Sequence, residues 1–121
     1  MTPPTHRPSV VVIGGAGDMG SRAVEALARA GELARVTVAD HDAHAAHALC
    51  RRLDSPTTRV EAAPLDATDQ AALRRELARH QVAASALGPF HRFELPVARA
   101  ALEAGLPYTS ICDEWQPTEA M

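Results

Sequence analysis

The 121-residue chain is 46% hydrophobic and 3% aromatic, and its formal net charge is −3. This length suits one domain with its own core, and the slightly negative charge excludes a strong general attraction to nucleic acid or to an anionic membrane. No apolar stretch reaches the roughly 18 residues of a transmembrane helix, and residues 1–9 are polar and proline-rich, so we expect a flexible N-terminal segment and a cytoplasmic protein.

Strand and helix patterns alternate along the chain. Short β-branched or alanine-rich runs between turn residues predict strands, and apolar residues at three- and four-residue spacing predict helices. The predicted strands cover residues 10–14, 35–39, 59–63, 82–87 and 107–111. The predicted helices cover residues 19–30, 43–53, 70–79 and 93–104, and Pro96 is expected in the first turn of the last one.

This alternation predicts an α/β fold. Strands that are joined by helices pair in parallel through right-handed crossovers. The expected arrangement is a doubly wound, Rossmann-like parallel sheet with five strands in the order 3-2-1-4-5. Ligands of such sheets bind beyond the carboxyl ends of the strands, where the strand order reverses.

A glycine-rich run follows the first predicted strand and opens the first helix. Gly15, Gly17 and Gly20 have the G-x-G-x-x-G spacing of dinucleotide-binding βαβ units. In that motif Gly15 allows a sharp turn, Gly17 lets the backbone approach the pyrophosphate, and Gly20 allows close packing of the helix. The helix N-terminus would bind the diphosphate. The predicted contacts come from Gly15, Ala16, Gly17, Asp18 and Met19.

An acidic residue ends the second predicted strand. Asp40 lies twenty residues after Gly20, where a carboxylate can accept hydrogen bonds from the adenosine ribose. It would also repel the 2′-phosphate of NADP, and the neighbouring His41 and Asp42 do not offset this charge. We therefore expect NAD to be preferred, with NADP as the alternative. A neutral His41 beside the ribose would not neutralise a phosphate, whereas a protonated one would help.

Two later segments also end predicted strands. Asp66, followed by Ala67, would either accept a hydrogen bond from the adenine amino group or form a local Asx turn, and the sequence leaves both open. Gly88, Pro89 and Phe90 would contact the middle of the cofactor, since proline cannot continue a central strand. A plain β-to-α turn is the alternative for these three residues.

The sequence predicts neither a catalytic residue nor a metal site. The chain has no lysine, which excludes the Tyr-x-x-x-Lys pair of short-chain dehydrogenases. His44 and His47 could share a helix face, but nothing nearby completes a tetrahedral metal site, so we expect a solvated surface. The aromatic residues gather in the last third, where they would either cap one end of the core or form a docking surface for a second domain or a second copy of the chain. They are Phe90, Phe93, Tyr108 and Trp115.

Several segments together resemble the N-terminal nucleotide-binding domain of the saccharopine dehydrogenase family, from residue 10 to about 115. They are the glycine motif, Val38-Ala39-Asp40, Leu65-Asp66-Ala67, Leu87-Gly88-Pro89-Phe90 and Ala104-Gly105-Leu106-Pro107-Tyr108. The resemblance implies a single NAD(P)-binding domain over residues 10–121 and an oxidoreductase acting on C–N bonds of amino-acid-like substrates. Family members usually carry a second, substrate-binding domain, and we expect this chain not to contain it. We therefore expect a fragment that binds the dinucleotide without efficient turnover.

Two other functions stay open at this point. A free-standing NAD-sensing regulatory module has a similar length and the same glycine motif. An atypical short-chain reductase- or epimerase-like domain shares the glycine spacing and a similar segment at Asp66.

Overall fold

A parallel sheet of five strands, covered by helices on both faces, forms the centre of the fold. The computed structural model describes residues 8–86 and 90–110, without the side chains of residues 90–96 and 110. The strands are β1 (Ser9–Ile13), β2 (Arg35–Asp40), β3 (Arg59–Pro64), β4 (Val82–Ser85) and β5 (Tyr108–Ser110). The helices are α1 (Asp18–Ala30), α2 (Ala43–Leu53), α3 (Gln70–Leu77) and α4 (Phe90–Glu103).

The strand order confirms the prediction. The sheet runs β3-β2-β1-β4-β5, with every neighbouring pair parallel. In the centre, Val11 of β1 lies opposite Thr37 of β2 on one side and Ala83 of β4 on the other. The order reverses between β1 and β4, so the carboxyl ends of these strands flank the crevice at which such folds bind ligands.

Two apolar layers hold the helices on the sheet. Even-numbered β1 residues such as Val10 and Val12 pack with α1 and α2, whereas Val11 and Ile13 pack with α3 and α4. Successive side chains of a strand point to opposite faces, so β1 is apolar on both. None of the described helices combines the length and apolar character needed to cross a bilayer.

The fourth helix differs most from its prediction. It begins at Phe90, three residues before the predicted start, so Phe90 is a helix residue rather than part of a turn. The prediction used Pro96 as a marker of the first turn, but Pro96 lies in the second turn. An interior proline removes one helix hydrogen bond and its ring crowds the carbonyl of the preceding turn, yet α4 continues through Pro96. Strand β4 ends at Ser85, two residues before its predicted end.

Candidate functional site

A crevice of about 320 Å³ opens at the carboxyl ends of the central strands. It lies where the strand order predicts a ligand site. Its lining residues come from the loops after β1, β2, β3 and β4. They are Gly14, Ala16, Gly17, Asp40, His41, Asp42, Leu65, Asp66, Ala67 and Ala86.

Half of the predicted contact residues line this crevice: Ala16, Gly17, Asp40, His41, Asp66 and Ala67. The others do not, for different reasons. Gly15 is buried beneath the loop, and Asp18 and Met19 lie on the exposed first turn of α1. Gly88 and Pro89 lie outside the described residues, and Phe90 is described only as the first residue of α4.

Four lining residues were not predicted: Gly14, Asp42, Leu65 and Ala86. Gly14, Asp42 and Leu65 each directly precede or follow a predicted contact residue, and Ala86 lies near the end of the fourth predicted strand. Their place at the same sheet edge was therefore the available signal. Asp42 also carried a second signal, because an aspartate directly before a helix is a typical N-cap.

The glycines of the loop have structural roles that differ from the predicted ones. The sharp turn is made by Gly14, whose φ is +76°, and not by Gly15. A methyl group on Gly15 would lie 3.0 Å from both the Val12 carbonyl oxygen and Val38 Cγ1. Gly15 is therefore required for close packing of the loop over β1 and β2. At Gly20 a methyl group would overlap the Gly14 carbonyl, which confirms the predicted close packing of the helix.

Gly17 is different, because the packing of the protein does not require a glycine there. Its φ is −75°, which any residue can adopt. A methyl group would meet only the Gly14 carbonyl oxygen, at an ordinary contact distance of 3.5 Å. The residue is exposed and lines the crevice. A side chain at Gly17 would therefore occupy part of the crevice without a clash in the fold.

The N-terminus of α1 has free hydrogen-bond donors beside this glycine. Gly17 is the N-cap and offers no side-chain acceptor. The amides of Asp18, Met19 and Gly20 donate to no acceptor within the described part of the chain. Helices α2 and α3, by contrast, are capped by the Asp42 and Asp69 carboxylates. Unpaired amides at a helix N-terminus bind anions such as a diphosphate.

Asp40 fastens the glycine-rich loop to the second strand. The residue is only 7% exposed. Its Oδ2 accepts a hydrogen bond from the Ala16 amide at 3.0 Å, and its Oδ1 accepts one from the Asp42 amide at 2.9 Å. The Ala16 amide is therefore already used and does not point a free donor at a phosphate. Each carboxylate oxygen can still accept a further hydrogen bond from a ribose hydroxyl.

Asp66 forms the local turn that the sequence left open as one alternative. Its Oδ1 accepts hydrogen bonds from the Thr68 hydroxyl at 2.6 Å and from the Thr68 amide at 2.9 Å. These two donors lower the pKa of the Asp66 carboxyl, and the nearby His41 lowers it further. The turn engages Oδ1, so Oδ2 can still accept from a ligand.

The charge of the crevice is strongly asymmetric. Asp40, Asp42 and Asp66 contribute three carboxylates, and among the described lining residues only His41 can become a cation. Its Nδ1 lies 3.4 Å from Asp40 Oδ1, and its side chain is 83% exposed. Arg52 lies near the far end of α2, where it approaches Glu25 at 4.0 Å.

Comparison with known proteins identifies the family of this chain. A family model described as the saccharopine dehydrogenase NADP binding domain matches residues 10–119. The chain belongs to this family. This saccharopine dehydrogenase domain has a Rossmann-like fold, and its family consists of oxidoreductases that bind a nicotinamide dinucleotide. The family description favours NADP, and the predicted preference for NAD is not confirmed.

Curated relatives share most of this domain. A "Trans-acting enoyl reductase" of Mycobacterium tuberculosis (strain H37Rv) is 27% identical over 114 residues, which are 94% of this chain and 27% of the relative. A second protein of that strain, with a provisional name of the same kind, is 30% identical over the same shares. The chain thus spans about a quarter of the length of these relatives.

Solved structures show the same fold at low identity. Apo saccharopine dehydrogenase (L-Glu forming) from Saccharomyces cerevisiae matches with a TM-score of 0.72 at 23% identity, over 93% of this chain and 23% of the yeast protein. A 3-hydroxyacyl-CoA dehydrogenase type-2 from Mycobacterium avium matches with a TM-score of 0.64 at 22% identity, over 79% of this chain and 48% of the other. At these identities the likeness concerns the fold alone.

Proposed function

We propose that this chain is the cofactor-binding part of an oxidoreductase and that its crevice holds the ADP-ribose half of a nicotinamide dinucleotide. The diphosphate would accept hydrogen bonds from the free amides of α1. The ribose hydroxyls would donate to Asp40, and the adenine would lie between His41 and the segment of Asp66 and Ala67. Family membership supports this role rather than that of a free-standing regulatory module.

The observation that carries the proposal is the combination at Gly17. The fold tolerates a side chain there, yet the position is glycine and lies beside three amides without an acceptor among the described residues. A ligand that brings negatively charged oxygens against the backbone explains both features. A turn used only for packing would explain Gly15 and Gly20, but not Gly17.

Two observations support different forms of the dinucleotide. The family description supports NADP, whereas the three carboxylates around the ribose position support NAD, because they would repel a 2′-phosphate. Both forms share the ADP-ribose half, so the proposed contacts serve either one.

The reaction of the whole protein is proposed only as a hydride transfer. The names of the similar proteins indicate different substrates. The curated relatives are named as enoyl reductases, and the structural neighbour is named as a saccharopine dehydrogenase. A nicotinamide cofactor carries the hydride in such reactions, and the protein supplies binding and orientation. Because the chain spans about a quarter of these relatives, we propose that the substrate is bound mainly by regions that this chain does not match.

Titration calorimetry of the wild-type chain and of Gly17→Ala with NAD, NADP and ADP-ribose tests the proposal. We expect the wild type to bind at least one dinucleotide, and we expect the variant to unfold at nearly the same temperature with affinity about tenfold lower or worse, equivalent to about 1.4 kcal/mol. Ser21→Ala is the matched control on α1, because its hydroxyl donates only to the Asp18 carbonyl. Undiminished binding by Gly17→Ala, or no binding by the wild type, would contradict the proposal.

A further inference from the structure

A 2′-phosphate bound in this crevice would meet a carboxylate that cannot move away. Asp40 is buried, and both of its oxygens are held by backbone amides. A rotation that removed the carboxylate from the ribose would break both hydrogen bonds and leave two amides without partners. The negative charge of Asp40 is therefore fixed beside the position that distinguishes NADP from NAD.

Helix α2, which follows His41, provides little positive charge to offset the Asp40 carboxylate. An unoccupied N-terminus of α2 would attract a phosphate, but the Asp42 carboxylate already accepts a hydrogen bond from the Ala45 amide at 3.0 Å. The two arginines of α2 lie in its last turn. A helix rises about 1.5 Å per residue, so these side chains begin more than about 10 Å from His41.

His41 is the remaining source of positive charge. It directly follows the ribose-binding position, lines the crevice, and places Nδ1 at 3.4 Å from Asp40 Oδ1. Because the side chain is largely exposed, it can turn toward a phosphate on the ribose without disturbing the core. Histidine is the side chain that ordinarily gains its charge between pH 5 and 8.

We propose that His41 determines the choice between NADP and NAD through its protonation. The neutral imidazole leaves the three carboxylates unopposed and the crevice selects NAD. The imidazolium donates to the 2′-phosphate and reduces the repulsion, so that NADP gains relative to NAD as the pH falls. This inference rests on the proposed function, since it concerns the same dinucleotide site.

The charged groups that line the crevice with His41 come from three neighbouring elements. Asp40 ends β2, Asp42 caps α2, and Asp66 follows β3 across the crevice. His44 lies on the first turn of α2 and is exposed, without lining the crevice. The described glycine-rich loop contributes no ionisable side chain to the lining. Among the described lining residues, His41 is therefore the only histidine, the residue type that ordinarily changes its charge between about pH 5 and 8.

The experiment compares the ratio of the dissociation constants for NADP and NAD at pH 5.5, 6.5, 7.5 and 8.5, measured by calorimetry on the full chain. We expect the ratio in the wild type to fall about tenfold between the highest and lowest pH, as one charge-assisted hydrogen bond is gained. His41→Gln should retain at most about a threefold change, which protonation of the 2′-phosphate itself would cause. His41→Arg should favour NADP at every pH.

His44→Gln is the matched control, because it removes a neighbouring exposed histidine that does not line the crevice. It should reproduce the wild-type ratios at each pH. A flat wild-type ratio, or a full slope in His41→Gln, would overturn the inference while leaving dinucleotide binding established. Failure of both dinucleotides to bind at any pH would overturn the proposed function, and the inference with it.

Discussion

Asp40 combines an observed structural role with the proposed recognition of the ribose. Its carboxylate joins the Ala16 amide in the glycine-rich loop to the Asp42 amide before α2. A ribose would use the remaining lone pairs of the same oxygens. A variant at Asp40 therefore affects both the loop and the ligand, and its binding data must be read beside its stability.

Asp40→Ala should lower the free energy of unfolding by about 2–4 kcal/mol, because two partly buried amides lose a charged acceptor. Asp40→Asn should lose less, since one amide can still donate to the side-chain carbonyl. Urea denaturation followed by circular dichroism measures both. Asp42→Ala, which removes only the cap of α2, should cost about 1 kcal/mol. Wild-type stability of Asp40→Ala would show that the two hydrogen bonds do not stabilise the loop.

Gly20→Ala should destabilise the protein far more than Gly17→Ala. The new methyl group at Gly20 would overlap the Gly14 carbonyl and push α1 from the loop, at a cost of about 1–3 kcal/mol or more. At Gly17 the same change meets only an ordinary contact and should stay within about 1 kcal/mol of the wild type. Equal unfolding free energies of the two variants would contradict this division of tasks.

At the scale of elements, the turn from α3 to β4 buries a titratable pair on a side of the fold away from the crevice. His80 is 5% exposed, and its Nε2 lies 2.7 Å from Glu76 Oε2. Its Nδ1 has no hydrogen-bond partner among the described residues. When Nε2 donates its proton to Glu76, protonation of the imidazole places the second proton on Nδ1.

This arrangement makes folding sensitive to mild acid. Burial lowers the pKa of His80, and the bond to Glu76 offsets only part of that effect. A lowered pKa in the folded state means that the unfolded chain binds the proton more readily. The stabilisation is complete above the ordinary histidine pKa of about 6.5 and is lost progressively as the pH falls from there to the lowered pKa of the folded state.

We therefore expect the urea midpoint to fall between pH 7 and pH 5 in the wild type, and the fall to be smaller in His80→Gln. The slopes with pH are compared, since the variant also changes the absolute stability. His47→Gln, an exposed histidine on α2, should keep the wild-type slope. An unchanged slope in His80→Gln would place the acid sensitivity elsewhere.

The elements were predictable from the sequence where local pattern and packing agree. The apolar run of β1, the stripes of α1 and α2, and the aspartate caps each specify their element, and the parallel order follows from alternation. The start of α4 was not predictable from Pro96, because a proline inside a helix and one at its first turn look alike in sequence.

The site was predictable in position but not in detail. Spacing placed the glycine motif and Asp40 at one sheet edge. Spacing could not show which of the adjacent glycines adopts positive φ, since Gly14 and Gly15 differ only in what the fold places around them. Nor could it show the bond from Ala16 to Asp40, which joins residues 24 positions apart.

At the scale of the whole molecule, the described crevice recognises one half of its proposed ligand. Its lining residues come mainly from the loops after β1, β2 and β3. In a doubly wound sheet these loops surround the adenosine and the diphosphate. Hydride transfer also requires that a substrate be held against the nicotinamide in a defined geometry. We therefore expect the described crevice to provide affinity for the dinucleotide rather than the geometry of the chemical step.

This separation predicts how fragments of the dinucleotide bind. ADP-ribose should bind the chain within about threefold of NAD, whereas nicotinamide mononucleotide should bind at least about a hundredfold more weakly, a difference of about 2.8 kcal/mol. The physical reason is that the free amides of α1 and the Asp40 carboxylate both act on the ADP-ribose half. Competition calorimetry with the three ligands on one protein preparation measures the order directly. Comparable affinity for nicotinamide mononucleotide and ADP-ribose would mean that this chain holds the reactive end of the cofactor as firmly as the adenosine end, and the proposed division between affinity and chemistry would be wrong.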